Sequence, residues 1–258
     1  MLVVLSPAKS LDYESPLATR KNTQPRFVKD AQALVEVLKP ISPQGLSELM
    51  SISDKLGVLN ATRYMQWAPE FTSKNSRQAI LAFNGDVYDG LNAKTLTDKD
   101  FEFAQKHIRV LSGLYGILRP LDLMQPYRLE MGTKIANPKG KDLYAYWKGT
   151  IATALNEELP SRNPVLVNLA SDEYFKSVDL KQLKARVVHP VFQDGKSGKY
   201  KIISFFAKKA RGMMARYIID NRITQVEKLK EFDVAGYSFS PEVSTPDTWV
   251  FRREEIAS

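Results

Sequence analysis

Cysteine is absent from this 258-residue chain, and histidine occurs only twice, as His107 and His189. The absence of cysteine excludes disulfides, cysteine-ligated zinc or iron–sulfur sites, and thiol nucleophiles. Two histidines are too few for a multi-histidine metal site, and both are expected to be structural. We therefore expect no bound metal and no cofactor.

Long apolar runs are also missing. No stretch of 18 apolar residues occurs, so no membrane-spanning helix is predicted. Met1 leads directly into the strand-like "LVVLS" and not into a signal-peptide pattern. Because 43% of the residues are hydrophobic, we expect a globular cytoplasmic protein with a sizeable core and no membrane partner.

Short apolar runs alternate with amphipathic helical patterns along the chain. Strands are predicted at residues 2–6, 79–83, 165–170, 186–192, 200–206 and 248–253. Helices are predicted at residues 26–39, at 54–67 after the N-cap Ser53, at 99–111 after the N-cap Asp98, at 204–222, and at 224–232 with a capping box from Thr224 to Glu227. The loop 131–142 could divide two domains, but strands on both sides of it favour a single α+β domain over residues 1–258, with a mixed central sheet flanked by helices.

Acidic residues are scarce in one segment of this basic chain. The whole sequence has 37 Lys and Arg against 29 Asp and Glu, a net charge of +8. Between residues 196 and 222, eight basic residues stand against the single acid Asp220. The basic residues are Lys196, Lys199, Lys201, Lys208, Lys209, Arg211, Arg216 and Arg222. Positive charge concentrated in this way favours a polyanionic partner.

The helical pattern at 204–222 separates apolar from basic residues. One face collects Phe206, Ala210, Met213, Met214, Tyr217 and Ile218, and the other carries Lys208, Lys209, Arg211, Arg216 and Arg222. The basic face could bind DNA phosphates, or it could simply be solvated. Gly212 lies in mid-helix at a cost of roughly 1 kcal/mol, which favours close approach of another backbone at that position.

A second basic segment surrounds "LSGLYG" at 111–116. Arg109 precedes it, Arg119 follows it, and no acid occurs between Glu102 and Asp122. Glycines at 113 and 116 would let backbone amides of a hairpin between two helices reach a phosphate. A helix end followed by a tight turn explains the same residues without any ligand.

Polar residues follow two of the predicted strands, at the strand ends where α/β proteins collect their ligand sites. Ser6, Lys9 and Asp12 follow the first, and the second leads into Asn168, Ser171, Asp172, Glu173, Tyr174 and Lys176. The carboxylates and lysines could bind a divalent metal or act as acid and base. Asp172 could equally be a helix N-cap.

Seven motifs together resemble the peroxide stress resistance protein YaaA family (UPF0246). They are "SPAKSLDY" (6–13), "SDKL" (53–56), "RQAILAFNGDVYDGL" (77–91), "LSGLYGILRPLDLMQPYRLEMG" (111–132), "GKDLY" (140–144), "NLASDEYFKSV" (168–178) and "KIISFFAKKARGMMARYII" (201–219). The resemblance extends to about residue 240. It implies a bacterial cytosolic protein that is induced by hydrogen peroxide and is linked to lower free iron and less oxidative DNA damage.

The resemblance also implies DNA binding through a positively charged cleft and a helix-hairpin-helix. Carried over to this sequence, the hairpin contacts are Arg109, Gly113, Leu114, Tyr115, Gly116 and Arg119, and the cleft contacts are Lys208, Lys209, Arg211 and Arg216. It transfers no catalytic residue. The near absence of histidine and cysteine argues against tight chelation of ferrous iron by nitrogen or sulfur ligands.

Three functions are compatible with these observations. The leading hypothesis is a protein that binds double-stranded or structured DNA through its phosphates, with little sequence preference. The second is an enzyme acting on a nucleotide, a damaged base or a small phosphate compound, with candidate residues Ser6, Lys9, Lys55, Asp172 and Lys176. The third is a metal-binding protein that uses carboxylates alone. Convergence of the five candidate residues in one pocket would favour the enzyme, and the oligomeric state is left open.

Overall fold

A computed structural model describes residues 1–254, in which a large sheet is flanked by helices. In chain order the strands are β1 (Leu2–Leu5), β2 (Ser10–Leu11), β3 (Arg77–Gln78), β4 (Phe83–Asn84), β5 (Ile108–Ser112), β6 (Gly116–Leu118), β7 (Leu123–Met124), β8 (Val165–Leu169), β9 (Arg186–Lys196), β10 (Lys199–Lys201), β11 (Ser238–Phe239) and β12 (Thr248–Arg253). The α-helices are α1 (Val28–Leu38), α2 (Pro43–Met50), α3 (Asp54–Gln66), α4 (Ala79–Ala82), α5 (Asp86–Leu91), α6 (Asp98–His107), α7 (Leu143–Trp147), α8 (Thr150–Glu158), α9 (Asp172–Phe175) and α10 (Ser204–Asp220). The predicted α+β fold with a mixed central sheet is confirmed.

The strand β1 is an interior strand of the large sheet, whose order is β11-β12-β9-β8-β1-β5-β6. Parallel pairing joins β12, β9, β8, β1 and β5, while β6, β10 and β11 pair antiparallel. All four residues of β1 are buried, as expected for a parallel strand covered on both faces. The chain passes from β1 to β5 on one side and later to β8 on the other, which makes the β1–β8 boundary a topological switch point.

Four predicted strands are confirmed, at β1, β8, β9 and β12. The strand predicted at 79–83 is wrong: Ala79–Ala82 forms the single-turn helix α4, because a short buried apolar run does not distinguish a strand from a helix. The strand predicted at 200–206 ends at Lys201, and α10 begins at Ser204. The family resemblance does not extend beyond about residue 240. The segment after it pairs through β12 with β9 and buries Trp249 and Phe251 in the core.

The helices predicted at 26–39, 54–67, 99–111 and 204–222 are present as α1, α3, α6 and α10. Ser53 is the N-cap of α3, but Thr97 and not Asp98 caps α6, through a capping box with Asp100. The helix α6 ends at His107 because the next five residues enter the sheet as β5. The helix predicted at 224–232 is a 3₁₀-helix over Val226–Glu231. Within residues 1–254, no helix combines the length and the apolar character needed to cross a bilayer.

The helices α5 and α10 cross at backbone distance. A Cβ atom at Gly212 would lie 1.8 Å from the Val87 carbonyl oxygen, and one at Gly90 would lie 2.1 Å from the Lys209 carbonyl oxygen. Since no side chain fits at either position, each helix contributes a glycine to the same crossing. The close backbone approach expected at Gly212 is confirmed.

Both histidines are half-buried structural residues. The Nδ1 atom of His107 lies 3.1 Å from the Met1 carbonyl oxygen, and that of His189 lies 3.2 Å from Asn168 Nδ2. Burial lowers the pKa of His107 and of His189. At pH values below about 6.5, the usual histidine pKa, the unfolded chain therefore binds protons that the folded protein does not, and stability falls as the pH falls.

We expect the melting temperature to drop by a few degrees between pH 7 and pH 5.5, through protonation of the unfolded chain at these two positions. The double variant His107→Gln, His189→Gln removes both groups and should show a smaller drop over the same interval. Thermal unfolding followed by circular dichroism at several pH values measures this. An equal drop in the variant would mean that other groups cause the pH dependence.

Candidate functional site

The predicted helix-hairpin-helix at 109–119 is instead a buried β-hairpin. The strands β5 and β6 pair antiparallel, with Ser112 opposite Gly116. Gly113, Leu114, Tyr115 and Gly116 are all buried. The prediction is wrong because the apolar run around the glycines occupies the sheet position beside β1, where its side chains join the core. The hairpin amides therefore do not form an exposed phosphate contact.

The two hairpin glycines serve packing. A Cβ atom at Gly113 would lie 2.2 Å from the Leu129 carbonyl oxygen. Gly116 has a φ of +68°, and its Cβ atom would lie 2.7 Å from the Trp147 ring. The Trp147 Nε1 donates a 2.9 Å hydrogen bond to the Gly113 carbonyl oxygen. Gly116 thus allows the indole ring to lie directly against the turn, and Gly113 allows the backbone at Leu129 to do so.

The two arginines that flank the hairpin are held by carboxylates. Arg109 is only 4% exposed and donates to the Glu158 carboxylate. Arg119 donates to Asp122 at 2.9 and 3.1 Å. Both arginines line a cavity of about 240 Å³ that also contains their two acidic partners. The sequence predicted that Arg109 and Arg119 are available to DNA phosphates. In the structure they instead neutralise Glu158 and Asp122.

A cleft lies at the carboxyl ends of β1 and β8, on the switch point of the sheet. It encloses about 400 Å³, and we call it the strand-end cleft. Its polar and charged lining residues are Ser6, Lys9, Ser10, Asn84, Asp86, Tyr88, Ser171, Glu173, Tyr174, Lys208 and Arg211. The cleft therefore combines members of the predicted catalytic set with members of the predicted DNA-binding set.

Two serines join the strand ends at the base of the cleft. The Ser171 backbone N–H donates to Ser6 Oγ at 2.8 Å, and the Ser6 hydroxyl donates to Ser171 Oγ at 3.3 Å. The Tyr88 hydroxyl on α5 donates to the Ser6 carbonyl oxygen at 3.0 Å. These bonds connect the ends of β1 and β8 to α5.

The five candidate catalytic residues converge only in part. Ser6 and Lys9 line the cleft, whereas Asp172 and Lys176 are exposed residues of the α9 region outside its lining. Lys176 lies over the Tyr144 ring, 4.9 Å from its centroid. Lys55 is exposed on α3 and is not among the lining residues of the cleft. Asp172 is the first residue of α9, and Ser171 occupies the N-cap position that the sequence suggested for Asp172.

Carboxylates that were not in the candidate set lie in or beside the cleft. Glu173 lines it and accepts a 2.9 Å hydrogen bond from the Gly132 backbone N–H. Glu130 lies 3.5 Å from Lys9 Nζ and accepts from Arg128 at 2.9 Å. Its Oε2 atom is buried and has no hydrogen-bond partner among residues 1–254. Glu130 carried no local signal in the sequence, because it is distant along the chain from the strand ends.

Arg211 is the cleft residue with the most unusual environment. It is half-buried, and burial lowers the pKa of its guanidinium, while the Asp172 carboxylate opposes that shift. No carboxylate of residues 1–254 lies within ion-pair distance of Arg211, and no hydrogen bond holds its guanidinium there. By contrast, Arg216 on the same helix pairs with Asp220 at 2.8 Å and donates to the Asn92 carbonyl oxygen at the end of α5.

Five exposed lysines continue from the cleft along the β9–β10 hairpin and the start of α10. We call them the basic ridge: Lys196, Lys199, Lys201, Lys208 and Lys209. None of them forms an ion pair with a carboxylate of the described residues. Arg222, at the far end of the segment, pairs with Asp100 at 2.6 Å. Of the basic segment predicted from sequence, Arg216 and Arg222 pair with acids, whereas the ridge lysines and Arg211 form no ion pair within residues 1–254.

The third hypothesis from the sequence, a carboxylate metal site, has no cluster to support it in the described part of the chain. No three side chains of His, Cys, Asp or Glu come close enough together among residues 1–254 to hold a metal ion.

We expect Gly116→Ala to lower stability by about 1–3 kcal/mol, because the new methyl group meets Trp147 in a left-handed backbone. The matched control is Gly198→Ala. Gly198 also has a positive φ, +73°, but nothing lies within 4 Å of its Cβ position. Urea unfolding of both variants separates the packing cost from the backbone cost. Equal losses would show that contact with Trp147 costs nothing.

Comparisons with known proteins confirm the resemblance seen in the motifs. A family model described as "Peroxide stress protein YaaA" matches residues 1–243. A "UPF0246 protein" of Ralstonia pickettii (strain 12J) is 60% identical over 255 residues, which cover 98% of this chain and 99% of the relative. A "UPF0246 protein" of Tolumonas auensis (strain DSM 9187 / NBRC 110442 / TA 4) is 59% identical over 259 residues, which cover 100% of both chains. This chain therefore belongs to the peroxide stress protein YaaA family.

Proposed function

We propose that this protein binds DNA in the peroxide stress response and protects it against oxidative damage. In this proposal the basic ridge contacts the phosphate backbone with little sequence preference, and duplex or structured DNA is the partner. The link to lowered free iron remains an implication of the family resemblance.

The observation that carries the proposal is the concentration of unpaired cations in one acid-free segment. Residues 195–219 contain no acid, and they fold into a continuous hairpin and helix. Elsewhere in this chain some lysines, such as Lys94 and Lys139, pair with acids at 2.9 and 2.6 Å, while isolated ones have no ion pair within residues 1–254. The ridge lysines have no such partners among residues 1–254. Closely spaced unpaired cations repel one another, and binding to phosphates replaces that repulsion by attraction and releases counterions.

Exposed apolar side chains lie between the ridge lysines. Ile202 is 59% exposed and Phe205 is 54% exposed, and both are located between Lys201 and Lys208. Solvation alone does not explain them. Exposed apolar and aromatic residues among cations are a feature of nucleic-acid-binding surfaces, because bases and sugars supply apolar surface beside the phosphates. This favours DNA over a purely solvated basic face.

We expect affinity for duplex DNA to fall steeply with salt, because ridge contacts release counterions. The double variant Lys199→Ala, Lys209→Ala removes two ridge charges. Its slope of log K against log[salt] should become less negative by about 0.9 for each phosphate that the variant no longer neutralises. The weakening should be similar for duplexes of unrelated sequence. Fluorescence anisotropy over a series of salt concentrations measures both effects.

The matched control is Lys181→Ala, Lys184→Ala. It removes the same charge from two exposed lysines that precede β9, at the opposite end of that strand from the ridge. Its salt slope should equal that of the unmodified protein. Equal slopes for both double variants would contradict the placement of DNA on the ridge, and a salt-independent affinity would contradict phosphate binding altogether.

A further inference from the structure

The geometry points to a second binding site, in the strand-end cleft, for the phosphate monoester group of a nucleotide-sized molecule. Arg211 would be its principal contact, with Lys208 and the Ser171 hydroxyl beside it. This site shares only Lys208 with the ridge contacts proposed for DNA, and it does not depend on DNA binding at the other ridge lysines.

The position of the cleft in the sheet is the first argument. Parallel strands end there on both sides of a switch point, and their loops diverge to leave a crevice in which α/β proteins bind ligands. The bonds from Ser171 to Ser6 and from Tyr88 to Ser6 hold the base of this crevice together without filling it. A volume of about 400 Å³ lies within the range of small-molecule sites and exceeds what one phosphate ion needs.

The unpaired guanidinium of Arg211 is the second argument. A charge that is withdrawn from water without a counter-ion destabilises the fold. Arg109, which is buried, and Arg216, which is half-buried, each reach a carboxylate, and the buried Arg77 donates to the Ser15 carbonyl oxygen. Arg211 instead faces the cleft, and Asp172 attracts it only from beyond ion-pair distance. A phosphate in the cleft would supply the missing anion, in the bidentate geometry that guanidinium favours.

The neighbouring groups fit a phosphate better than a simple carboxylate. Lys208 adds a second cation from the same helix, and Lys9, which also lies 3.5 Å from Glu130, contributes from the loop after β1. Because Ser171 Oγ accepts from Ser6, its own hydroxyl hydrogen is left to donate, and it has no acceptor among residues 1–254. Several donors in the lining of one cleft match the three terminal oxygens of a phosphate monoester.

Carboxylates elsewhere in the lining define the rest of the ligand. Asp86 and Glu173 would repel a second phosphate, but they can accept hydrogen bonds from sugar hydroxyls. The combination of cations with two carboxylates therefore selects a monophosphate that carries a hydroxylated group. Two sources share this chemistry: a free nucleoside monophosphate and the 5′-phosphate end of a DNA strand.

Isothermal titration of the full-length protein with AMP, and with adenosine as the phosphate-free probe, tests the site. We expect AMP to bind and adenosine to bind at least about tenfold more weakly, since loss of a charge-assisted contact costs at least that factor. Arg211→Met should weaken AMP binding about tenfold or more, and Lys208→Ala should weaken it by a smaller factor. Lys55→Ala, which removes an exposed lysine on α3, is the matched control and should bind AMP as the unmodified protein does.

The same titration with single-stranded oligonucleotides separates the two sources. If the ligand is a DNA end, a 5′-phosphorylated strand should bind more tightly than its 5′-hydroxyl counterpart, and Arg211→Met should abolish only that difference. Thermal unfolding provides the folding control: Arg211→Met should melt no lower than the unmodified protein, because it removes an unpaired charge. Should that variant unfold, Lys208→Ala still tests the site, since Lys208 is exposed.

Two results would overturn the site. One is that neither AMP nor a 5′-phosphate binds better than its phosphate-free counterpart. The other is that folded Arg211→Met and Lys208→Ala both bind AMP like Lys55→Ala. Neither result bears on DNA binding at the ridge, which Lys199→Ala, Lys209→Ala tests without altering a cleft residue.

Discussion

The contact between α5 and α10 at two glycines positions the walls of the strand-end cleft. Gly90 and Gly212 bring each helix against a carbonyl oxygen of the other, at distances that no Cβ atom would allow. The first residues of α5, Asp86 and Tyr88 among them, form one wall of the strand-end cleft, and α10 contributes Lys208 and Arg211 to the other. A wider crossing would move these cations away from the ends of β1 and β8. The mid-helix glycine therefore contributes to the site although it touches no ligand.

Pairing with carboxylates divides the basic residues of the two segments predicted to bind DNA, 109–119 and 196–222, into two groups. Arg109, Arg119, Arg216 and Arg222 neutralise acids and belong to the architecture. The ridge lysines and Arg211 have no such partners within residues 1–254. A net charge of +8 does not distinguish the groups, because a paired and an unpaired arginine contribute equally to it. Only the unpaired group offers charge to a polyanion at little cost to the fold.

Membership in the peroxide stress protein YaaA family rests on matches that span nearly the whole chain. The family description indicates a role in peroxide stress. The phosphate binding that we propose is argued from the geometry of the cleft and the ridge. The helix-hairpin-helix implied by the resemblance does not occur at residues 109–119, so the proposed DNA contacts shift to the surface that leads out of the cleft. Phosphate recognition at the ridge and at Arg211 would then involve adjacent parts of one positively charged face.

The sequence by itself determined the fold class, most of the long helices, four of the five parallel strands and the concentration of charge at residues 196–222. Each of these follows from local periodicity or composition: four apolar residues in a row predicted β1, and alternating burial along β9 matches its strand pattern. The sequence also placed Ser6, Lys9 and Ser171 at strand ends, where the cleft is found. Strands and helices can be predicted from such patterns because backbone geometry repeats every two residues in a strand and every 3.6 residues in a helix.

Tertiary structure alone decided which of these residues function together. "LSGLYG" reads equally well as an exposed hairpin or a buried turn, and the indole of Trp147, 31 residues after Gly116, determines that it is buried. Arg109 and Arg211 are the same residue type in basic surroundings, but Glu158 approaches the first and no carboxylate of residues 1–254 reaches the second. Whether a charge is paired depends on contacts between segments far apart in the chain, and local sequence patterns do not predict those contacts.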